Sequence, residues 1–304
     1  MRIGLTGGGA TADRIVEQAV EAEADGFSSL WYASAVFGDP LVAMALAGRA
    51  TKSIELGTSV LQTYTCHPVL QANRAASTAA TMGRPGLTLG VGPSHEPVIE
   101  GYFGLSYAHP GAHTEEYLQI LTTLLRGEGI DHKGQEFNVN IPAVAPLPQP
   151  VSVMVSALAP RMLRVAGELT DGTILWMANA RSIETHVAPK MNAAAAAAGR
   201  ATPRIVAGLP VAVCDDAAEG RAVAAKNFAN YGVLPNYRAI LDIGGAGGPG
   251  DAAIVGDEAA VTDQIQALFD AGATDVWAAP FPVGDDKSSS RKRTRALLKE
   301  LAAA

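Results

Sequence analysis

Eight short apolar runs recur along the chain, each followed by a stretch of helical character, and this alternation limits the folds open to it. The runs are Ile3–Thr6, Ser29–Tyr32, the first half of Glu55–Gln62, Leu87–Gly92, Val151–Ser156, Thr173–Met177, Ile205–Val213 and Asp275–Ala279. Between them the spacing predicts helices from about Thr11 to Asp25-Gly26, Pro40 to Thr51, Pro68 to Met82, Pro160 to Glu168 and Asp257 to Ala271. A helix from Thr114 to Arg126 and a hairpin over Asp131–Asn140 interrupt the rhythm. Four prolines follow in Ile141–Pro150, where neither a ladder nor a helix can continue.

Strands that alternate with helices build parallel sheets, either open or closed. An open dinucleotide-binding sheet would carry Gly-x-Gly-x-x-Gly after its first strand and an acidic residue after its second. Here the first turn is Gly7-Gly8-Gly9 and the second strand runs into Ala33-Ser34-Ala35. The expectation is therefore an α/β chain folded as a (β/α)8 TIM barrel with insertions between barrel units. Residues 1–304 form one domain in this reading, with an excursion at about 105–150 and a flexible glycine-rich connection at about 244–256.

Ligands of parallel α/β folds bind at the C-terminal ends of the strands. Those ends present Thr6, Tyr32, Ser34, Ser59, Gln62, Tyr64, His67, Ser94, His95, Glu96, Ser156, Trp176 and Asn179. The set holds no carboxylate pair suited to glycoside hydrolysis, no metal-ligand spacing and no nucleophile elbow. Hydroxyls, amides, aromatics and glycines suit a large cofactor that brings its own reactivity. Ser34, Tyr64, Trp176 and Asn179 are candidates for the wall of a substrate pocket, although Tyr64 and Trp176 could equally pack. A net charge of −7 argues against nucleic acid, and no apolar run approaches the ~20 residues that span a bilayer. The chain enters a strand pattern directly from Met1, and Cys66 and Cys214 lie far apart without metal-ligand spacing. Both features point to the cytoplasm.

Four stretches taken together resemble a known family. They are Leu56–Val60, Leu89–Glu96, Ala157–Thr173 and the late run Val255-Gly256-Asp257 with Ala271–Asp275. They resemble the bacterial luciferase-like superfamily, and within it the branch that uses the deazaflavin coenzyme F420. The resemblance implies a non-proline cis peptide at Ser59–Val60 that backs the middle ring of a flavin or deazaflavin. It implies a cofactor site at Thr58, Ser59, Val60, Gly92, Pro93 and Ser94. It also implies a phosphate-binding turn at Ala157, Leu158, Ala159 and Arg161, where backbone N–H groups at a helix start can hold an anion. His95 stands where F420-dependent sugar-phosphate dehydrogenases of the family carry a glutamate, and could relay a proton; otherwise it is a helix-start histidine bonded to backbone. Glu96 is the alternative if the register shifts by one. The Asp-His pair of those dehydrogenases is replaced by Ser34 and Ala35, which favours a reductase over a sugar-phosphate oxidase. FMN-dependent monooxygenation and a non-catalytic cofactor carrier are the alternatives. The implied partners are a small-molecule substrate and, by family habit alone, a second copy in a homodimer.

Overall fold

The computed structural model describes residues 1–33, 38–143 and 147–304. Eight strands occupy the expected places: β1 (Ile3–Gly7), β2 (Ser29–Tyr32), β3 (Glu55–Thr58), β4 (Leu87–Gly92), β5 (Val151–Val155), β6 (Gly172–Trp176), β7 (Arg204–Val213) and β8 (Asp275–Pro280). Each pairs in parallel with the next, from Gly4 opposite Ser29 on β1 and β2 through to Val206 opposite Asp275 on β7 and β8. The ring closes where β8 returns to β1, with Ile3 opposite Val276. The chain is a (β/α)8 barrel.

Side chains fill the barrel in layers. At the N-terminal end, Arg204 donates to Glu55 at 3.0 Å and to Asp275 at 2.7 Å, while Arg2 reaches the same two carboxylates at 2.6 Å each. Burial pushes the Asp275 carboxyl up, but the hydrogen bonds and charge of Arg204 outweigh it and hold the group below the usual carboxylate range. Above this floor, Trp31 and Trp277 pack with Met154, Ile174 and Val206. The two indoles need room that only glycine leaves. A Cβ on Gly57 would sit 2.3 Å from the Trp31 ring, and one on Gly208 would sit 1.4 Å from Trp277 Nε1. The third layer is the mouth.

One helical segment differs from expectation. The helix expected from Thr114 begins at Pro110, because proline fits the first helical position and Thr114 Oγ1 donates back to the Pro110 carbonyl at 2.7 Å. After β7 a helix (Ala217–Asn227) gives way to a 3-10 turn, Ala229–Gly232, and a second helix starts at Pro235. That break lays Phe228, Tyr231 and Tyr237 across the barrel mouth. The glycine-rich connection is shorter than expected, since a helical turn (Pro249–Ala252) and a strand (Ile254–Gly256, paired with the end of β7) occupy its second half. Its first half is held by Arg238, which donates to the carbonyls of Ala246 and Gly247 at 2.6 and 2.9 Å.

Candidate active site

β3 ends at Thr58, and the next peptide but one, Ser59–Val60, is cis. The chain then rejoins the sheet at Leu61–Gln62, opposite Val91 and Gly92 of β4. Ser59 N donates to the Tyr32 carbonyl at 2.8 Å, which ties this corner to β2. The side chains of Ser59 and Val60 thereby face the mouth of the barrel.

Two cavities open there. The deeper one, of about 270 Å³, lies over Trp277 and Ile174 and is walled by Trp176, Phe228 and Tyr231. Among its described lining residues none is charged. Two of its lining residues carry buried donors, Ser59 Oγ and Trp176 Nε1, that have no partner among the described residues. The second cavity, of about 100 Å³, lies between Gly92, Pro93, Ser94 and His95 on one side and Leu158, Ala159 and Met162 on the other. Val60, Ser156 and Tyr237 line both, so the two are neighbours divided by three side chains. Gly92 keeps the passage open, since a Cβ there would approach Val60 Cγ2 to 3.0 Å and Ser156 Cβ to 3.2 Å.

The structure brings together Ser59, Val60, Gly92, Pro93, Ser94, His95, Leu158, Ala159 and Trp176 of the residues expected at the site. Others stand elsewhere. Thr58 is fully buried and its hydroxyl bonds to Gly90, so it braces the corner from behind. Ala157 is buried outside both cavity linings. The Arg161 guanidinium turns away to Glu115 at 2.9 Å, leaving only its backbone near the turn. Glu96 is exposed at the first position of helix Glu96–Phe103. Tyr64 stacks on His113 with ring centroids 3.8 Å apart and lines neither cavity. Asn179 caps the turn Ala180–Ser182 and donates to the Gly244 carbonyl at 3.0 Å. Ser34 lies outside the described residues. Sequence reasoning missed Met162, Phe228, Tyr231, Asn236 and Tyr237, which come from helical segments with no strand-end signature.

His95 sits at the N-cap position of helix Glu96–Phe103, yet its ring makes no capping bond. It lies 5.6 Å from the Tyr237 ring on the edge of the second cavity. Burial lowers its pKa below the ordinary 6.5, so the imidazole is neutral at pH 7. A neutral, half-buried imidazole with no fixed partner among the described residues is free to exchange a proton with a bound molecule. His67, by contrast, accepts the N–H of Val69 at 3.3 Å and is a helix cap.

The sequence profile of the family described as luciferase-like monooxygenase matches residues 2–275. The chain belongs to that family. Among luciferase-like relatives, the 5,10-methylenetetrahydromethanopterin reductase of Methanolobus tindarius is 26% identical over 313 residues, covering 92% of this chain and 93% of the relative. The solved coenzyme F420 dependent tetrahydromethanopterin reductase from Methanopyrus kandleri superposes with a TM-score of 0.78 at 21% identity, covering 98% of this chain and 96% of that one. The oxygenating constituent of 3,6-diketocamphane monooxygenase from Pseudomonas putida, solved with FMN, superposes with a TM-score of 0.73 at 18% identity, covering 99% and 97%. These two structural likenesses speak for the luciferase-like fold alone.

Proposed function

We propose that this protein is an oxidoreductase that binds coenzyme F420 and, acting as a reductase, uses it to deliver hydride to a small uncharged organic substrate. One observation carries the proposal. The uncharged cavity against Ser59–Val60 is lined by two residues whose donors, Ser59 Oγ and Trp176 Nε1, have no partner among the described residues, which suits a flat ring with acceptor atoms. The motifs shared with the F420-using branch support the choice of coenzyme, and the reductase name of the Methanolobus relative supports the direction.

The residues present fit such a group. Val60 and Gly92 offer an apolar, side-chain-poor face for a ring, and the turn Leu158–Ala159 offers backbone N–H groups for a phosphate. When bound, the coenzyme supplies a carbon that carries hydride. The protein's part is orientation and exclusion of water: Trp176, Phe228 and Tyr231 wall the deep cavity, and Tyr237 crosses between the two. His95 holds or releases the proton that accompanies hydride at the substrate's other atom.

The test is a titration of the apoprotein with coenzyme F420 and with FMN, read by quenching of ligand fluorescence. Saturable binding of F420 in preference to FMN is the expected result. Preference for FMN would move the protein to the second reading, an FMN-dependent monooxygenase, which the family profile's own description favours. Oxidation of the bound reduced coenzyme by candidate carbonyl or alkene substrates separates an enzyme from a carrier.

A further inference from the structure

We infer that Tyr107 and His186 are positioning residues: each pins the carbonyl of one cavity-lining residue from behind and so turns the next backbone N–H toward the phosphate of the bound cofactor. This rests on the cofactor reading above. The Tyr107 hydroxyl donates to the Ser94 carbonyl at 2.8 Å, and His186 Nε2 lies 2.8 Å from the Leu158 carbonyl. Because a carbonyl can only accept, His186 carries its proton on Nε2.

Both carbonyls belong to trans peptides, since Ser59–Val60 alone is recorded as cis among the described residues. In a trans peptide the C=O and the following N–H point in opposite directions within one plane. Fixing the Ser94 carbonyl therefore fixes where the His95 N–H points, and fixing the Leu158 carbonyl does the same for Ala159. Ser94, His95, Leu158 and Ala159 all line the second cavity, whereas Tyr107 and His186 do not. Neither N–H has a hydrogen-bond acceptor among the described residues.

The backbone at Ser94 makes the need for a brace plain. Its φ of 65° lies in the left-handed region, uncommon for a residue other than glycine. A hydrogen bond to its carbonyl helps hold that conformation. Burial and the nearby Glu96 charge push the Tyr107 phenol up to about 12, so it stays a donor across the working pH range. His186 is 9% exposed and sits on a π-helical turn, Ile183–Val187, an irregularity that swings its ring under the Leu158 turn. Among the described residues no carboxylate lines the cavity.

The experiment compares a phosphorylated ligand with its stripped chromophore. Wild type, Tyr107→Phe, His186→Leu and His186→Gln are titrated with coenzyme F420 and with the same deazaflavin lacking its phosphate-bearing tail, and in parallel with FMN and riboflavin. Tyr107→Phe and His186→Leu should each weaken the phosphorylated ligand about tenfold to a hundredfold, the usual worth of a hydrogen bond to a charged group. The stripped chromophore should bind as before, and His186→Gln, which keeps a donor near the Nε2 position, should recover most of the loss. Equal weakening of both ligands, no weakening, or a glutamine variant as poor as the leucine one overturns the inference. Tyr107→Phe removes one oxygen and decides the matter if His186→Leu does not fold. A wild-type protein that binds none of the four ligands overturns the cofactor reading itself, and the inference with it.

Discussion

Thr58 and Gly90 exchange two hydrogen bonds through one hydroxyl: Thr58 Oγ1 donates to the Gly90 carbonyl at 2.7 Å and accepts the Gly90 N–H at 2.9 Å. The β3–β4 ladder stops at Gly57 opposite Thr88 and resumes only at Leu61 opposite Val91. The hydroxyl therefore replaces the strand-to-strand bonds missing where the chain turns at Ser59 and Val60. Gly90 must be glycine for this approach, since a Cβ there would lie 2.0 Å from the Thr58 carbonyl oxygen.

Thr58→Val keeps the shape and removes both bonds, leaving two buried backbone groups unpaired. The expected cost is about 1–3 kcal/mol in urea unfolding, together with weaker cofactor binding. An unchanged unfolding midpoint would show that the hydroxyl does not brace the corner.

Gly92→Leu should close the passage beside Val60 and Ser156 without forbidding the backbone, whose φ there is not positive. Cofactor binding should fall at least tenfold, while the added bulk at the cavity edge costs no more than about 1–3 kcal/mol of stability. Fluorescence titration beside a thermal melt reads the two effects separately. Retained affinity would place the ring elsewhere.

On the proposed function, His95 should set the pH dependence of turnover. Reduction needs a proton donor, and burial lowers the imidazole's pKa below 6.5. Reductive turnover should therefore fall as pH rises through that lowered value, while the reverse reaction gains over the same interval. His95→Ala should abolish this dependence and slow turnover by about 10²–10⁴. Steady-state rates from pH 4.5 to 8 check it, and an unchanged profile in the variant removes His95 from the chemistry.

His113 makes a prediction about stability. Burial lowers its pKa to about 4, against smaller opposing effects from the Thr63 backbone and Glu116. The unfolded chain thus binds one more proton than the folded one between about pH 4 and 6.5. Stability should be complete above pH 6.5 and decline as pH falls through this window, by up to about 3 kcal/mol. Thermal melts of His113→Phe should lose that part of the slope.

The barrel could be read from the chain because each strand and its helix form a local unit, and local spacing reports periodicity directly. The Ser59–Val60 corner was legible only through a shared motif; nothing in Glu-Leu-Gly-Thr-Ser-Val signals it by composition. Tyr231 and Tyr237 stayed hidden because helical periodicity tells which face packs, not over which part of a distant sheet it folds. Arg161 was assigned to the site through the shared motif and Asn179 from its place at a strand end. Glu115 and Gly244 hold them instead, through contacts 46 and 65 residues apart in sequence that no local pattern encodes.

Val60, Ser156 and Tyr237 form a threshold between two chambers. A short molecule can lodge on one side or the other, but only an elongated one touches both faces of all three side chains. Tightness of association should then climb in a step, not gradually, once a ligand grows long enough to straddle that threshold. The barrel mouth would sort visitors by reach before any chemistry begins.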